Sequence, residues 1–314
     1  MKSRPTISVS IVTYNSAEDI ASCLEAVLGQ TYPIERIVVV DNGSSDGTMS
    51  VLERFRDRIQ IIANKDNTGF AGGQNLGIGA TGSDYVLVLN PDVMLEPDYV
   101  ETIIGVMEAN PDIGSATGML VRTSAGDVID STGLVLNLTR RARDRGAGEP
   151  PERWQDQGEV FGVSGAAAVY SRRMIDDISI DGEFFDSFFF AYKEDVDVSY
   201  RANRLGWKAM YVPSARALHK RGWKEGGHRA IPLFVRRHSY QNQFFVWIKN
   251  ETFTPQFALT LPVLLVLELL RLGYILVREP GLLACWFTIA KAFPDMLRKR
   301  KEISRKMKRK AHFC

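Results

Sequence analysis

Cysteine is scarce. Three occur in 314 residues, Cys23, Cys285 and Cys314, with neither paired nor metal-site spacing. That excludes a disulfide framework and a cysteine-held zinc, and it fits a reduced, cytoplasmic setting. The opening MKSRPTISVSIVTYN lacks an apolar run long enough for a signal peptide and continues into folded-looking sequence, so secretion is not expected. Net positive charge is missing from most of the chain. Residues 296–314, MLRKRKEISRKMKRKAHFC, hold nine Lys or Arg against one Glu, while the remainder carries 30 basic against 36 acidic residues, a net −6. A nucleic-acid partner calls for a basic footprint on the folded surface, and this body has none to offer. Internal repeats and low-complexity tracts are also absent. With 45% hydrophobic and 24% charged residues the composition is globular, and the length allows one large domain or two.

What is present begins with alternation. The N-terminal third reads strand, helix, strand, as a parallel, doubly wound sheet requires. SVSIVT is an apolar strand ending at Tyr14 and Asn15. Ser16 is placed to cap a helix with Asp19 closing the box, and Ile20, Cys23, Leu24, Val27 and Leu28 repeat at helical spacing. RIVVV is a second strand ending in the loop DNGSSDGT. IQIIA is a third, followed by the glycine-rich stretch NKDNTGFAGGQNLGIGA. YVLVL, the fourth, ends in NPDV, and Val100, Ile103, Ile104 and Met107 stripe the next helix. Ligands of open α/β sheets bind beyond the carboxyl ends of the strands. The clusters TYN, DNGSS, DNTGFAGGQN and NPD are therefore expected to converge on one crevice. There Asp41 can accept from a ribose or base edge, and Asn67, Asn75 and the amides around Gly69 can hold ribose or phosphate oxygens. Turn chemistry is the alternative for any one loop alone, and the glycine spacing is not the dinucleotide fingerprint.

The middle third mixes strand candidates (GSATGMLVR, GLVLNL, VSGAAAVYS, KAMYVP) with a stretch read as irregular loop, TRRARDRGAGEPPERWQDQGE. Two acidic features stand out. In LNPDV, Asp92 leaves a buried strand toward the crevice, where a hard cation needs carboxylate oxygen, and Pro91 stiffens its presentation. In AYKEDVDVSYR, Glu194, Asp195 and Asp197 crowd into four residues after the run FFDSFFF. Like charges and an aromatic wall raise carboxylate pKa values. A solvated helix start, where the amide dipoles favour carboxylates, is the competing explanation. Asp197 is spaced to pair with Arg201 one turn later.

Near Pro232 the character changes. PLFVRRHSYQNQFFVWIKN reads as a long helix leaving the sheet. FALTLPVLLVLELLRLGYILV, Phe257 to Val277, has the length of a membrane span but contains Glu268 and Arg271, which with Arg278 place charge on one stripe. An amphipathic hairpin lying on a membrane surface is expected, with the basic tail facing anionic lipid. A helical bundle or an oligomer interface is the alternative.

SIVTYN, VVDNGSSDGT, GFAGGQNLGI, LVLNPDV, VSGAAAVYSRR and FFAYKEDVDVSYRANRLGW, in this order, resemble glycosyltransferase family 2, most nearly its bacterial rhamnosyltransferase-like branch. The likeness runs from about Ser8 to Asn250. It implies a GT-A type α/β fold with a Rossmann-like, mostly parallel mixed sheet flanked by helices. It also implies a nucleotide-diphosphate sugar donor, a divalent cation (Mg2+ or Mn2+), and transfer with inversion. On that likeness residues 1–230 form the transferase domain, split into a nucleotide-sugar half, 1–95, and an acceptor half, 96–230. Residues 231–314 form a helical, membrane-surface appendage. Thr13, Tyr14, Asn15, Asp41 and Ser44 match positions around the donor base and ribose. Asn67, Gly69, Phe70, Ala71 and Asn75 match the loop beside ribose and diphosphate. Asn90, Pro91 and Asp92 stand where many members have Asp-x-Asp, with Asp92 as metal ligand and one carboxylate fewer. His219 matches a His that completes the metal shell, although a strand-end His packed on Trp223 is the plain alternative. Asp195 matches the catalytic base, with Glu194 orienting it or binding acceptor hydroxyls, and Phe188, Phe189, Phe190 and Tyr192 as walls that exclude water.

The implied reaction moves L-rhamnose from its thymidine-diphosphate form to a polysaccharide or lipid-linked glycan at the inner face of the cell membrane. Galactofuranose, N-acetylhexosamine or glucose donors are alternatives. A nucleotidylyltransferase would carry a basic glycine-rich loop after the first strand, and TYNSAEDI has none. A non-catalytic nucleotide-sugar sensor would not need the paired Glu194 and Asp195.

Overall fold

Four short apolar strands set the frame of the computed structural model, which describes residues 4–122, 128–220 and 231–313. Trp223 and Cys314 lie outside the described residues. The strands are β1 (Ile7–Thr13), β2 (Arg36–Asp41), β3 (Gln60–Ala63) and β4 (Tyr85–Leu89), paired in parallel in the order β4-β1-β2-β3. Between them run α1 (Ile20–Leu28), α2 (Thr48–Glu53) and α3 (Gly69–Gly79). Ile7, Val9 and Ile11 pack into a core shared with Ile20, Cys23, Leu24 and Val27 of α1.

The alternate residues of β1, Ser8 and Ser10, turn to the opposite face, where α3 lies. By sequence the glycine-rich stretch reads as a loop, whereas Gly69–Gly79 is helical. Five glycines in eleven residues disfavour a helix by roughly 0.5–1 kcal/mol each relative to alanine. Close packing offsets this. A Cβ on Gly77 would sit 2.0 Å from Ser10 Oγ, and one on Gly73 2.8 Å from Val12 Cγ2. Ser10 Oγ also donates to Gln74 Oε1 at 2.6 Å. The small residues of the strand and the glycines of the helix are two halves of one contact. The expected capping box is not formed. The Ser16 carbonyl accepts from Asp19 and Ile20 N–H, and the Asp19 carboxylate pairs with Lys220 at 2.6 Å.

Further along come β5 (Val93–Leu95), α4 (Tyr99–Ala109), β6 (Ile113–Arg122), β7 (Val128–Ser131), the ribbon β8 (Leu134–Leu136) and β9 (Ala142–Asp144), β10 (Gly158–Val160), β11 (Ala167–Ser171), α5 (Arg172–Ile178), α6 (Glu194–Arg204) and β12 (Lys208–His219). β11 runs antiparallel between β4 and β6, and β12 lies parallel to β6, so the sheet is mixed but mostly parallel. The stretch read as irregular loop contains β9, a 3-10 turn at Pro151–Trp154 and the start of β10. It is pinned where Arg145 stacks over Trp154 at 4.3 Å.

Three helices close the chain: α7 (Leu233–Asn250), α8 (Pro255–Arg278) and α9 (Ala284–Phe313). The basic tail is the last part of α9, and much of it is docked on the body. Met296 and Ile303 are buried. Arg298 pairs with Asp181 at 2.7 Å, and Lys299 Nζ reaches Asp186 at 2.6 Å. Tail charge expected to face lipid is thus partly internal. In α8 part of the charged stripe also turns inward, while Arg278 stays exposed. Glu268 pairs with Arg141, Arg271 lies 4.7 Å from the Tyr240 ring centre, and Ile275 is buried. Phe257–Arg278 is long and apolar enough to cross a membrane, and only about 11% of its apolar window is buried.

The packing of α6 on α7 and α9 rests on charge. Asp197 accepts from Arg201 Nε (2.9 Å), Lys249 Nζ (2.9 Å) and Asn250 Nδ2 (2.7 Å), and Lys249 also reaches Asp186 at 2.7 Å. Burial opposes ionisation of both carboxylates, but Lys249 with Arg201 or Lys299 more than offsets it, so both titrate below 3.8. Replacing Lys249 by methionine leaves two buried carboxylates under-compensated and should cost ~3–5 kcal/mol, read as a lower urea midpoint at unchanged slope. Because the folded pKa values are depressed, the stability these groups contribute is complete above about pH 4 and is lost as the pH falls through the folded values. Lys249→Met should accordingly flatten the acid limb of a stability-versus-pH curve.

Candidate active site

The polar clusters that follow β1, β2, β3 and β4 meet at one edge of the sheet. A cavity of about 570 Å³ opens there, lined among others by Tyr14, Asn42, Asn67, Gly69, Phe70, Asn90, Pro91, Phe190 and Tyr192. Behind it lies a set of residues that hold one another. The Asp41 carboxylate is buried and accepts from Thr13 Oγ1 (2.9 Å), Ser44 Oγ (2.6 Å) and Ser44 N–H (3.0 Å). Asn15, with φ +52°, accepts from Ser45 N–H at 2.9 Å and donates its own N–H to Ser44 Oγ. Thr13, Asn15, Asp41 and Ser44 thus shape the loop on which Tyr14 stands exposed, rather than lining the cavity themselves.

α3 meets this cavity through its N-terminus. Gly69 has φ +74°, and a Cβ there would lie 2.3 Å from the Phe190 carbonyl oxygen. Ala71 N–H donates to the same oxygen at 3.0 Å. Asn42 lines the cavity while donating to the Gly69 carbonyl at 2.9 Å and accepting from Asn64 and Thr68. Asn75 sits one turn too deep: its amide donates to the Phe185 carbonyl at 2.7 Å and accepts from Phe185 N–H at 2.9 Å. It holds the FFDSFFF segment rather than the cavity.

A second cavity of about 330 Å³ adjoins the first through Phe70, Asn90, Ala191 and Tyr192. Asp92 and His219 line it together with Glu194 and Asp195. β12 carries His219 across from Val93 of β5, which brings His219 Nε2 within 3.4 Å of Asp92 Oδ1. The other imidazole nitrogen, Nδ1, lies 2.8 Å from Asp130 Oδ2 on β7, and Arg122 donates to Asp130 Oδ1 at 2.8 Å. Burial pushes the imidazole pKa down, but the hydrogen bonds to Asp130 and Asp92 raise it to about 9. Asp130 carries no sequence signal of its own. It lies 89 residues from His219, and only the sheet brings them together.

A divalent cation fits this donor set in part. An imidazole fixed through Nδ1 by a carboxylate presents Nε2, the arrangement usual for metal-ligating histidine, and it faces a carboxylate oxygen suited to a hard cation. No group of three or more His, Cys, Asp or Glu is placed to hold a metal among the described residues. Asp92 and His219 could supply two ligands, and a bound diphosphate would have to supply others.

Glu194 and Asp195 open α6. The segment before it is strained: Phe190, Tyr192 and Lys193 have φ of +60°, +72° and +70°, each costing of order 1–3 kcal/mol. α7 supports that strain, since Asn242 Nδ2 lies within 2.7–2.9 Å of the carbonyls of Phe189, Ala191 and Tyr192. Asp195 accepts from Gly165 N–H (3.2 Å) and Val196 N–H (2.7 Å). Burial raises its pKa against those hydrogen bonds. Burial and the neighbouring Asp195 raise Glu194 far more, and Glu194 Oε2 has no hydrogen-bond partner. Of the expected aromatic walls, Phe190 and Tyr192 line the cavities. Phe189 is buried against Phe245, and the exposed ring of Phe188 lies under Lys299.

The family model for glycosyl transferase family 2 matches residues 8–179. An N-acetylglucosaminyl-diphospho-decaprenol L-rhamnosyltransferase of Mycobacterium tuberculosis is 27% identical over 250 residues, covering 72% of this chain and 80% of the relative. A poly-beta-1,6-N-acetyl-D-glucosamine synthase of Staphylococcus epidermidis is 22% identical over 244 residues, 72% of this chain but 55% of the relative. Among solved structures, GalNAc-T7 with UDP, GalNAc and Mn2+ superposes with TM-score 0.61 at 14% identity, over 78% of this chain. The chain spans only 48% of that protein. Mannosyltransferase PcManGT from Pyrobaculum calidifontis, in complex with GDP-Man and Mn2+, superposes with TM-score 0.57 at 16% identity, over 99% of this chain and 88% of that one. At such identities the likeness speaks to the fold alone, a mostly parallel sheet of the GT-A type flanked by helices.

Asp130→Asn tests the histidine's support. Losing the carboxylate behind Nδ1 should weaken Mn2+ affinity, titrated with nucleotide diphosphate present, by ~10–100-fold. Nucleotide affinity without metal should be unchanged.

Proposed function

The chain belongs to glycosyl transferase family 2 and is a glycosyltransferase; from that premise we propose an inverting transfer of L-rhamnose, from dTDP-L-rhamnose, to a lipid-linked or polysaccharide glycan. The observation that carries this reading is a pair of adjoining cavities with Phe70, Asn90, Ala191 and Tyr192 in common, the larger at the strand ends and the smaller holding Asp92 and His219 together with Glu194 and Asp195. The 27% identical rhamnosyltransferase supports the donor sugar. The 22% identical N-acetylglucosamine polymer synthase makes UDP-N-acetylglucosamine the rival donor.

In this reading Tyr14, Asn67, Phe70, Asn90 and Pro91 receive the donor, with Gly69 and Ala71 shaping the loop. Thr13, Asn15, Asp41, Ser44 and Asn75 hold the frame. Asp92 and His219 Nε2 are the residues that would hold Mg2+ or Mn2+. When bound, the cation supplies positive charge for the leaving diphosphate. Asp195 takes the acceptor hydroxyl's proton as the new bond forms. Its two backbone donors fix the carboxylate, and Glu194, whose pKa burial and Asp195 raise, binds an acceptor hydroxyl. Phe190 and Tyr192 keep water from the donor.

The division into a transfer unit, 1–230, and a helical unit, 231–314, belongs to the same proposal. The helical unit also braces the loop before α6. The outward face of α8, with Leu259, Val266, Leu270 and Val277 each more than half exposed, supports peripheral attachment at the inner membrane face.

Two measurements test the proposal. Asp195→Asn should lower turnover by ~10²–10⁴-fold while leaving donor binding near the parent's; parental turnover would remove Asp195 from the mechanism. Because the Asp195 pKa is raised above 3.8, the base form is lost at a higher pH than for an ordinary aspartate. The acid limb of kcat/KM should lie above that value. In a donor screen with purified protein and Mg2+ or Mn2+, nucleotide diphosphate release confined to dTDP-L-rhamnose is expected. A preference for UDP-N-acetylglucosamine would overturn the donor assignment.

A further inference from the structure

Between α7 and α8 lies a third cleft, about 340 Å³, that neither the donor nor the metal uses. It is lined by Val235, Arg236, Arg271, Tyr274 and Leu282, and by Tyr192, which also lines both cavities of the active site. Tyr192 is thus a wall common to the cleft and the transfer cavity. The cleft's apolar wall continues onto the outward face of α8, where Leu270 is 66% and Val277 78% exposed.

The charges at this junction are unevenly matched. Arg236 is paired with Glu279 at 2.7 Å, and Arg141 with Glu268. The side chains of Lys193 and Arg271 have no hydrogen bond or ion pair among the described residues, and that of Arg271 has only the Tyr240 ring, 4.7 Å away. Burial, and then the nearby guanidinium of Arg141, lower the Lys193 amine to about 8, with Arg271 adding to the effect against the attraction of Asp195 and Glu194. Arg271 lines the cleft and Lys193 the smaller transfer cavity, and both are part-buried cations whose side chains have no ionic partner among the described residues. Helix α8 is arranged to match: Glu268 and Arg271 are turned inward and the apolar face outward.

Resting on the reading of a lipid-linked acceptor, we propose that this cleft seats that acceptor. Its phosphate or diphosphate is held by Arg271 and Lys193, and its hydrocarbon leaves along the apolar face of α8. A phosphate placed there carries the attached sugar past Tyr192 toward Asp195, and a planar guanidinium over an aromatic ring offers a fixed fork to phosphate oxygens.

The test is a binding assay that needs no turnover. Full-length protein is sedimented with neutral phosphatidylcholine vesicles, with vesicles containing a few per cent of a polyprenyl phosphate, and with vesicles containing phosphatidylserine at equal charge. The parent should bind the polyprenyl phosphate vesicles about tenfold more tightly than the neutral ones, the worth of one charge-assisted contact, and more tightly than those with phosphatidylserine. Arg271→Ala, and Arg271→Gln (which keeps a polar side chain at that position), should abolish that preference while neutral-vesicle binding and nucleotide binding stay at parental levels. Equal binding to polyprenyl phosphate and phosphatidylserine would assign the attraction to the basic tail and overturn the site. A preference retained in both Arg271 variants would overturn it as well. If Arg271→Gln weakens nucleotide binding as strongly as vesicle binding, the cations belong to the donor diphosphate and the proposal is lost. A donor screen that overturns rhamnose leaves the vesicle result untouched, so the two readings fail separately.

Discussion

Three carboxylates at the start of one buried helix repel one another, and the rest of this structure depends on how that repulsion is divided. Asp197 is surrounded by Arg201, Lys249 and Asn250 and stays ionised. Glu194 and Asp195, one turn earlier, have no ion pair among the described residues and line the cavity with raised pKa values. One end of the cluster anchors the helix and the other is left reactive. Neutralising all three would give a stable helix with no base, whereas neutralising none would leave α6 unable to dock.

The anchor ties the C-terminal helices to the chemistry. Lys249 of α7 and Lys299 of α9 share Asp186, and Asn242 of α7 faces three carbonyls of the left-handed segment that leads into α6. Strain of the kind found at Phe190, Tyr192 and Lys193 persists only where surrounding contacts over-determine it. Here α7 supplies those contacts on one side and α3 on the other, through Gly69 and Ala71 against the Phe190 carbonyl. A region that reads as a membrane appendage is therefore also a brace. Its polar groups face the protein, which leaves α8 with the apolar outer face that an interfacial helix requires.

Much was legible in the sequence because the relevant signals are local. The apolar runs of β1, β2 and β4, the helical spacing of Ile20, Cys23, Leu24 and Val27, and the polar clusters after each strand all depend on period and position alone. So does the crevice at the strand ends, which follows from parallel pairing. The order of motifs from Ser8 to Asn250 was enough to recognise the family.

What tertiary structure decided concerns partners far apart along the chain. Helix α3 looks like a loop because its glycines are unfavourable by themselves, and close packing on Ser10 and Val12 of β1 and on the Phe190 carbonyl makes them fit. Asp130 meets His219 through sheet pairing, with no motif at either end. Asn75, Asp41 and Phe189 have the right residue types for a site, yet their polar atoms or rings are taken up by neighbours. The basic tail, a solvent-facing run by composition, becomes partly internal because Asp181 and Asp186 lie where α9 lands. Local pattern determines what a segment can be; the burial of its charges and the atoms across the contact determine what it is.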